Sequence, residues 1–358
     1  LGIGAFRDCS NLNRVDASGI EELKIGDMAF SSTNLKEFIS PQNITEIGSC
    51  GFSGCGLKEL NLHNITGSIK DNAFRDSKIN TIKIDSIGGD IGSCAFMQNN
   101  YLKKVKIGTQ SGELQDSAFA YCPSLQTVEF GKGPKKIGSK EFIYSNYLER
   151  FVAGEGLLEI GNSAFVAEEL FSPGYGYVKT IVTDRKKLKN IILPQSVEKI
   201  GHYAFTKNSV LSDFQIPESV TSIGIEAFSG CSSIDSIKIP SGVTEISDYA
   251  FKECTSLKHI SFTNGLKSIG KETFAYCAID SMKLPPSLIT IKERAFYNCK
   301  MQELHLPSSI EFIEAGAFEA CWDLNSIYTY TVEPVSITER TFSNWTNITL
   351  HVPSTSFW

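Results

Sequence analysis

Fifteen phenylalanines recur along this chain at nearly constant spacing: Phe6, Phe30, Phe52, Phe74, Phe96, Phe119, Phe142, Phe165, Phe205, Phe228, Phe251, Phe274, Phe296, Phe318 and Phe342. The intervals are 24, 22, 22, 22, 23, 23, 23, 40, 23, 23, 23, 22, 22 and 24 residues, so all but one equal a single unit. Five residues before each Phe stands Ile, or Leu at Leu1 and Leu114, and Ala immediately precedes eleven of the fifteen. A fixed period in this range marks a repeat array. It overrides the two domains that roughly 150 residues per domain would give a chain of 358.

About six residues after most of these Phe positions comes a second pattern, apolar-x-x-apolar-x-apolar, as in Ile234-x-x-Ile237-x-Ile239 and Met301-x-x-Leu304-x-Leu306. Its last three residues alternate as a short strand does. Pro often follows directly, at Pro194, Pro217, Pro240, Pro285, Pro307 and Pro353. Lacking an N–H, it ends the strand. Each unit therefore reads as a strand, a turn, a short extended piece ending at the Ile, a tight turn, and the Phe.

One unit cannot stand alone. Five or six buried apolar side chains contribute roughly 1.5–3 kcal/mol each, whereas ordering a unit's residues costs about 1–2 kcal/mol apiece. Copies must stack to cover each other's open faces, and equivalent residues then form ladders about 4.8 Å apart. The predicted fold class is an α/β-type repeat solenoid of mostly short parallel strands and turns with little helix. It is a right-handed, elongated or arc-shaped array of about 15 coils, on the order of 70 Å long. The reading gives one domain over 1–358, cut from a longer precursor. Gly stands four residues before Phe in nine units, among them Gly26, Gly48, Gly224 and Gly270. A positive φ or a close backbone approach is the expected reason.

The run Leu284-Pro-Pro-Ser-Leu-Ile-Thr-Ile291, continuing to Ala295-Phe296-Tyr-Asn-Cys299, resembles the treponemal-type leucine-rich repeat of BspA-like bacterial surface proteins. The resemblance covers nearly the whole chain. It implies a secreted or lipid-anchored protein of host-associated bacteria, adhering to host extracellular matrix or cell-surface proteins or to other cells, with any membrane link made through a lipid anchor outside this sequence. The tail from Tyr328 to Pro353 is similar to endings found in gut Bacteroidetes.

Ten cysteines in an extracellular chain ordinarily point to disulfides, but position argues otherwise. Cys9, Cys55, Cys122, Cys231, Cys254, Cys277, Cys299 and Cys321 all sit three residues after a repeat Phe, a slot that Thr33, Ser77 and Asn208 also fill. A slot shared with those residues wants a small side chain at a turn, so free, buried thiols are expected. Cys50 and Cys94, two residues before a Phe, are separate packing choices.

The sequence carries no C-x-x-C pair, no H-E-x-x-H and none of the glycine-rich or nucleophile-elbow motifs. Its five His are scattered; His259 and His305 both face outward from strands but two coils apart. We expect no enzyme, no metal and no cofactor. A net charge of −6 disfavours nucleic acid, whose binding rests on clustered Lys and Arg, and a monomer is expected.

Binding then falls to outward strand positions. Among these, Lys83, Lys104, Lys106 and Arg150 form a basic cluster suited to an acidic partner; the alternative is an ordinary solvated strand face. The 40-residue interval adds 40 − 23 = 17 residues within 166–187. Its Phe171, Tyr175 and Tyr177, beside Asp184-Arg-Lys-Lys187, resemble interface anchors, unless they merely cover the coil beneath. Two functions remain open: an extracellular binding protein, or a structural spacer that holds another domain away from the cell envelope.

Overall fold

The computed structural model describes residues 1–167, 188–331, 333–338, 340–343 and 348–354. These fall into two compact units, Leu1–Val197 and Glu198–Trp358. Each is a parallel β-solenoid, with no helix among the described residues. Strand pairing joins equivalent residues of successive coils, as the repeat requires. In the first unit Glu59–Ile65, Thr81–Ile87, Lys104–Gln110 and Thr127–Lys132 pair in turn, with Leu60↔Ile82, Ile82↔Val105 and Val105↔Val128 in register. A second ladder runs through the Ile five residues before Phe, Ile47↔Ile69↔Ile91↔Leu114↔Ile137. In the second unit the same ladder joins Glu245–Ile246, Ser268–Ile269, Thr290–Ile291 and Phe312–Ile313.

Proline marks some strand ends but not all, since Arg150–Val152, His259–Ser261 and Ser326–Thr329 are short with none behind them. In the first unit, the four long strands have no proline after the apolar triplet and run on for six or seven residues towards the second ladder. In the second, Pro240 and Pro307 stand directly behind Ile239 and Leu306, and the strands Ser236–Lys238 and Glu303–Leu306 stop there. A residue without an N–H cannot continue the ladder.

The core of each unit is a column of stacked Phe rings. Neighbouring rings lie 5.0–5.5 Å apart and within 20° of parallel, and 5.2–5.5 Å apart in the second unit. That is offset stacking, which adds about 0.5–1.5 kcal/mol per pair beyond burial. The main chain holds the rings in place: the N–H of one Phe donates to the carbonyl of the residue before the next, as in Phe74 to Ala95 (2.7 Å) and Phe228 to Ala250 (2.8 Å).

The tight turn around thirteen of the fifteen Phe uses left-handed backbone twice, at the second residue before and the second after. Tyr249 and Glu253 flank Phe251 at φ 60° and 59°, and Arg294 and Asn298 flank Phe296 at 53° and 55°. The glycine four before Phe is not among these. Its constraint is proximity: a Cβ on Gly48 would lie 2.5 Å from the Asp27 nitrogen, and one on Gly138 2.5 Å from the Gln115 carbonyl carbon. Of the two reasons expected, close approach holds.

The cysteine slot has more chemistry than small size. The thiols of Cys231, Cys254, Cys277 and Cys321 lie 3.1–3.3 Å from the carbonyl of the ladder Phe one coil back. Where the slot holds another residue, the Ser77 hydroxyl donates to the Phe52 carbonyl at 2.8 Å and the Asn99 amide to that of Phe74 at 2.9 Å. The position takes small donors. All ten cysteines are free, and burial pushes the thiols of Cys122, Cys277 and Cys321 up to about 12. Native protein is therefore expected to react with a thiol reagent quickly at exposed Cys9, slowly at Cys50 and Cys94, and at the seven buried cysteines only after unfolding. Fewer than ten reactive thiols in unreduced, denatured protein would contradict this.

One coil breaks the rule. Glu141 replaces the usual Ala before Phe142 and is fully buried. Its carboxyl oxygens accept the N–H groups of Ala118 (3.1 Å) and Phe119 (2.9 Å), taking the place of the main-chain bond that Phe119 would make. The rings of Phe119 and Phe142 stand 6.1 Å apart, wider than their neighbours. Burial outweighs the two donors and lifts the carboxyl well above the usual range. Above about pH 4.3 the unfolded chain has lost a proton that the native state keeps, so stability falls as pH rises. Glu141→Ala removes that slope; in urea melts its advantage over wild type should widen from about pH 5 to about pH 8, and a constant gap would refute the assignment.

Candidate functional site

Alternate residues of the strands point away from the core, and the register sorts them into rows. One row of the first unit runs Glu59, Thr81, Lys104, Thr127, Arg150, Asn190; the next runs Asn61, Lys83, Lys106, Glu129, Val152, Ile192. The structure brings the four basic candidates of the sequence onto one face but does not treat them alike. Arg150 pairs with Glu129 at 3.3 Å. Lys83 and Lys106 are exposed and directly opposite one another, and Lys104 is exposed between two threonines. None of the three lysines has an ion-pair partner among the described residues, whereas elsewhere on the face opposite charges meet: Arg14 with Glu37 at 3.0 Å, Lys24 with Glu46 at 3.3 Å. Like charges directly opposite on adjacent strands are destabilising.

The other sequence candidates, Phe171, Tyr175 and Tyr177, lie outside the described residues. The sequence reading passed over a signal just before them. The residue after the ladder Phe is Arg7, Ser31, Ser53 and Arg75 in the first coils, then Met97, Ala120, Ile143 and Val166. The last three form a buried cluster with Met97 and Tyr144 packed against it.

In the second unit the outward positions include His259, Ser261, Ser281, Lys283, Glu303 and His305. The two histidines, treated as unrelated in the sequence, line one surface cavity. Among the described residues no group of three or more His, Cys, Asp or Glu is placed to hold a metal ion, and no helix is long and apolar enough to cross a membrane.

Coils of 22–24 residues, parallel ladders in register and a column of inward rings define the class: a leucine-rich-repeat solenoid with a polar outer strand face. The family description BspA type leucine rich repeat region, in six copies, matches residues 1–58, 23–149, 67–172, 182–287 and 267–356. The chain belongs to that family. Among solved structures it is similar to a leucine-rich repeat protein from Bacteroides ovatus, 24% identical with a TM-score of 0.70, over 99% of this chain and 87% of that one. Matches also include a leucine rich cell surface protein from Faecalibacterium prausnitzii, 22% identical, TM-score 0.39, over 82% and 88% of the two chains. A further match is a leucine-rich repeat protein from T. pallidum, 21% identical, TM-score 0.36, over 59% and 77%. The fold likeness rests on the first. A search of the curated proteins finds no match.

Because Lys83 and Lys106 face each other directly and neither forms an ion pair among the described residues, Lys83→Thr should raise the melting temperature slightly at low ionic strength. The gain should vanish at about 1 M salt, where charges are screened beyond about 3 Å. An unchanged melting temperature at low salt would show that the two lysines do not repel.

Proposed function

We propose that this chain is a binding protein displayed outside a bacterial cell, and that its outer strand face receives a protein on host matrix, on a host cell or on another bacterium. The observation that carries this reading is the trio Lys83, Lys104 and Lys106, exposed cations held close together with no ion-pair partner among the described residues. A stacked array has no structural need for them, and an acidic protein surface supplies what they lack. Membership of a repeat family whose solenoids present broad faces to partners supports it. No catalytic step and no cofactor are part of the reading, and the chain acts as a monomer.

The test is capture by the immobilised chain from a panel of purified host matrix proteins and intact bacterial cells. At least one is expected to be retained, more weakly as salt rises. The Lys83→Glu, Lys106→Glu double variant should lose at least tenfold in affinity for it. Equal capture by the reversed variant removes the basic cluster from the interface, and retention of nothing supports a spacer instead.

A further inference from the structure

In the outer ladder of the second unit two coils form no strand, at 213–215 and at 281–283, and the latter lies between paired strands. Ser236–Lys238 pairs with His259–Ser261, and Glu303–Leu306 pairs with Ser326–Thr329. Ser281–Lys283, between them in sequence, belongs to no strand, and its three residues make no main-chain hydrogen bond to either neighbour. Local sequence accounts for this. Met282 is half-buried in the position where Ile237, Ile260 and Leu304 are buried, and the segment ends on Leu284-Pro285-Pro286, which offers two residues without an N–H.

The step leaves a solvent-open cavity of about 550 Å³, within the ~300–1,000 Å³ of small-ligand sites. Asp280, Gln302, Glu303, Lys283 and His305 contribute to its lining. His305 is held in place on several sides. Its ring stacks on Tyr328 at 4.5 Å and 5°, and Tyr328 in turn stacks on His351 at 4.2 Å and 8°. Its Nδ1 lies 3.2 Å from the Tyr330 hydroxyl and its Nε2 3.7 Å from a Glu303 carboxylate oxygen. Tyr328 belongs to the following coil and covers one ring face. The other face is turned to the preceding coil, whose Lys283 lines the same cavity.

We propose that this cavity binds a neutral oligosaccharide, with one pyranose ring against the cavity side of His305 and its hydroxyls bonded to Asp280, Gln302 and Glu303. The lining selects among ligand classes. Two carboxylates disfavour an anion, the Lys283 ammonium disfavours a dense cation, and an apolar ligand would strand the polar groups. A pyranose suits all of these. One of its faces is a patch of C–H groups that packs on a ring, and its rim is hydroxyls that both donate and accept. The inference goes beyond the protein-binding reading and uses other coils, so either can fail without the other.

The full chain is titrated calorimetrically with cellohexaose, xylohexaose, mannohexaose and maltohexaose, and with oligogalacturonate as the charged control. At least one neutral sugar is expected to bind, and His305→Ala and Asp280→Ala should each weaken that binding at least tenfold. His305→Phe should retain it, since the ring face rather than a nitrogen makes the contact, and Lys83→Glu should leave it unchanged. Unaltered melting temperatures confirm that the variants fold. The proposal is overturned by absence of binding to all four neutral sugars at millimolar concentration, by undiminished binding in His305→Ala, by loss in His305→Phe equal to that in His305→Ala, or by preference for oligogalacturonate.

Discussion

Successive coils are bonded main chain to main chain through their whole cross-section, and that spacing leaves room for almost nothing between them. From this follow the other regularities. Gly48 and Gly138 are glycine because a single carbon would strike the coil before them. The ladder Phe residues meet ring on ring because each is fixed by the N–H to carbonyl bond beside it. The Phe carbonyl then needs a donor that fits a narrow slot, and Cys, Ser and Asn are the side chains that supply one. What looks like a preference for cysteine is a preference for a small hydrogen-bonding group in a dry place.

The same constraint explains which features the sequence reveals. A slot repeated in every coil meets its own copy above and below, so one pattern read along the chain contains the ladder contacts. The Phe and Ile columns, the proline stops and the free thiols were legible for that reason. Backbone conformation was less so. The two left-handed positions around these Phe residues hold Tyr, Glu, Arg, Asn, Ser and Cys as readily as Gly, because the cooperative ladder on either side fixes the turn at about 1–2 kcal/mol per strained residue without asking for a particular side chain. Glu141 was visible as a departure from Ala-Phe, but its role as a substitute for a main-chain bond depends on the facing N–H groups of another coil, which no periodicity encodes.

Outward positions escape the ladder, and here legibility ran out. Counting offsets put Lys83, Lys104, Lys106 and Arg150 on one face, yet only the register separates Arg150, neutralised by Glu129, from the lysines that have no such partner. Counting also kept His259 and His305 apart as residues two coils distant. They line one cavity together with residues of the coil between them, which forms no strand.

Strand length ties these surfaces to the fold. In the four long strands of the first unit, six or seven residues pair in register and the outer face becomes a continuous sheet, whose side chains sit in fixed rows. Such a face suits contact with another broad surface, because position along one row predicts position along the next. Where strands stop at three or four residues, fewer ladder bonds hold each coil to its neighbours, and the segments 213–215 and 281–283 lie outside the sheet. Long strands therefore favour flat rows of charge, and short ones allow concavities. One repeat can present two kinds of surface without altering its core.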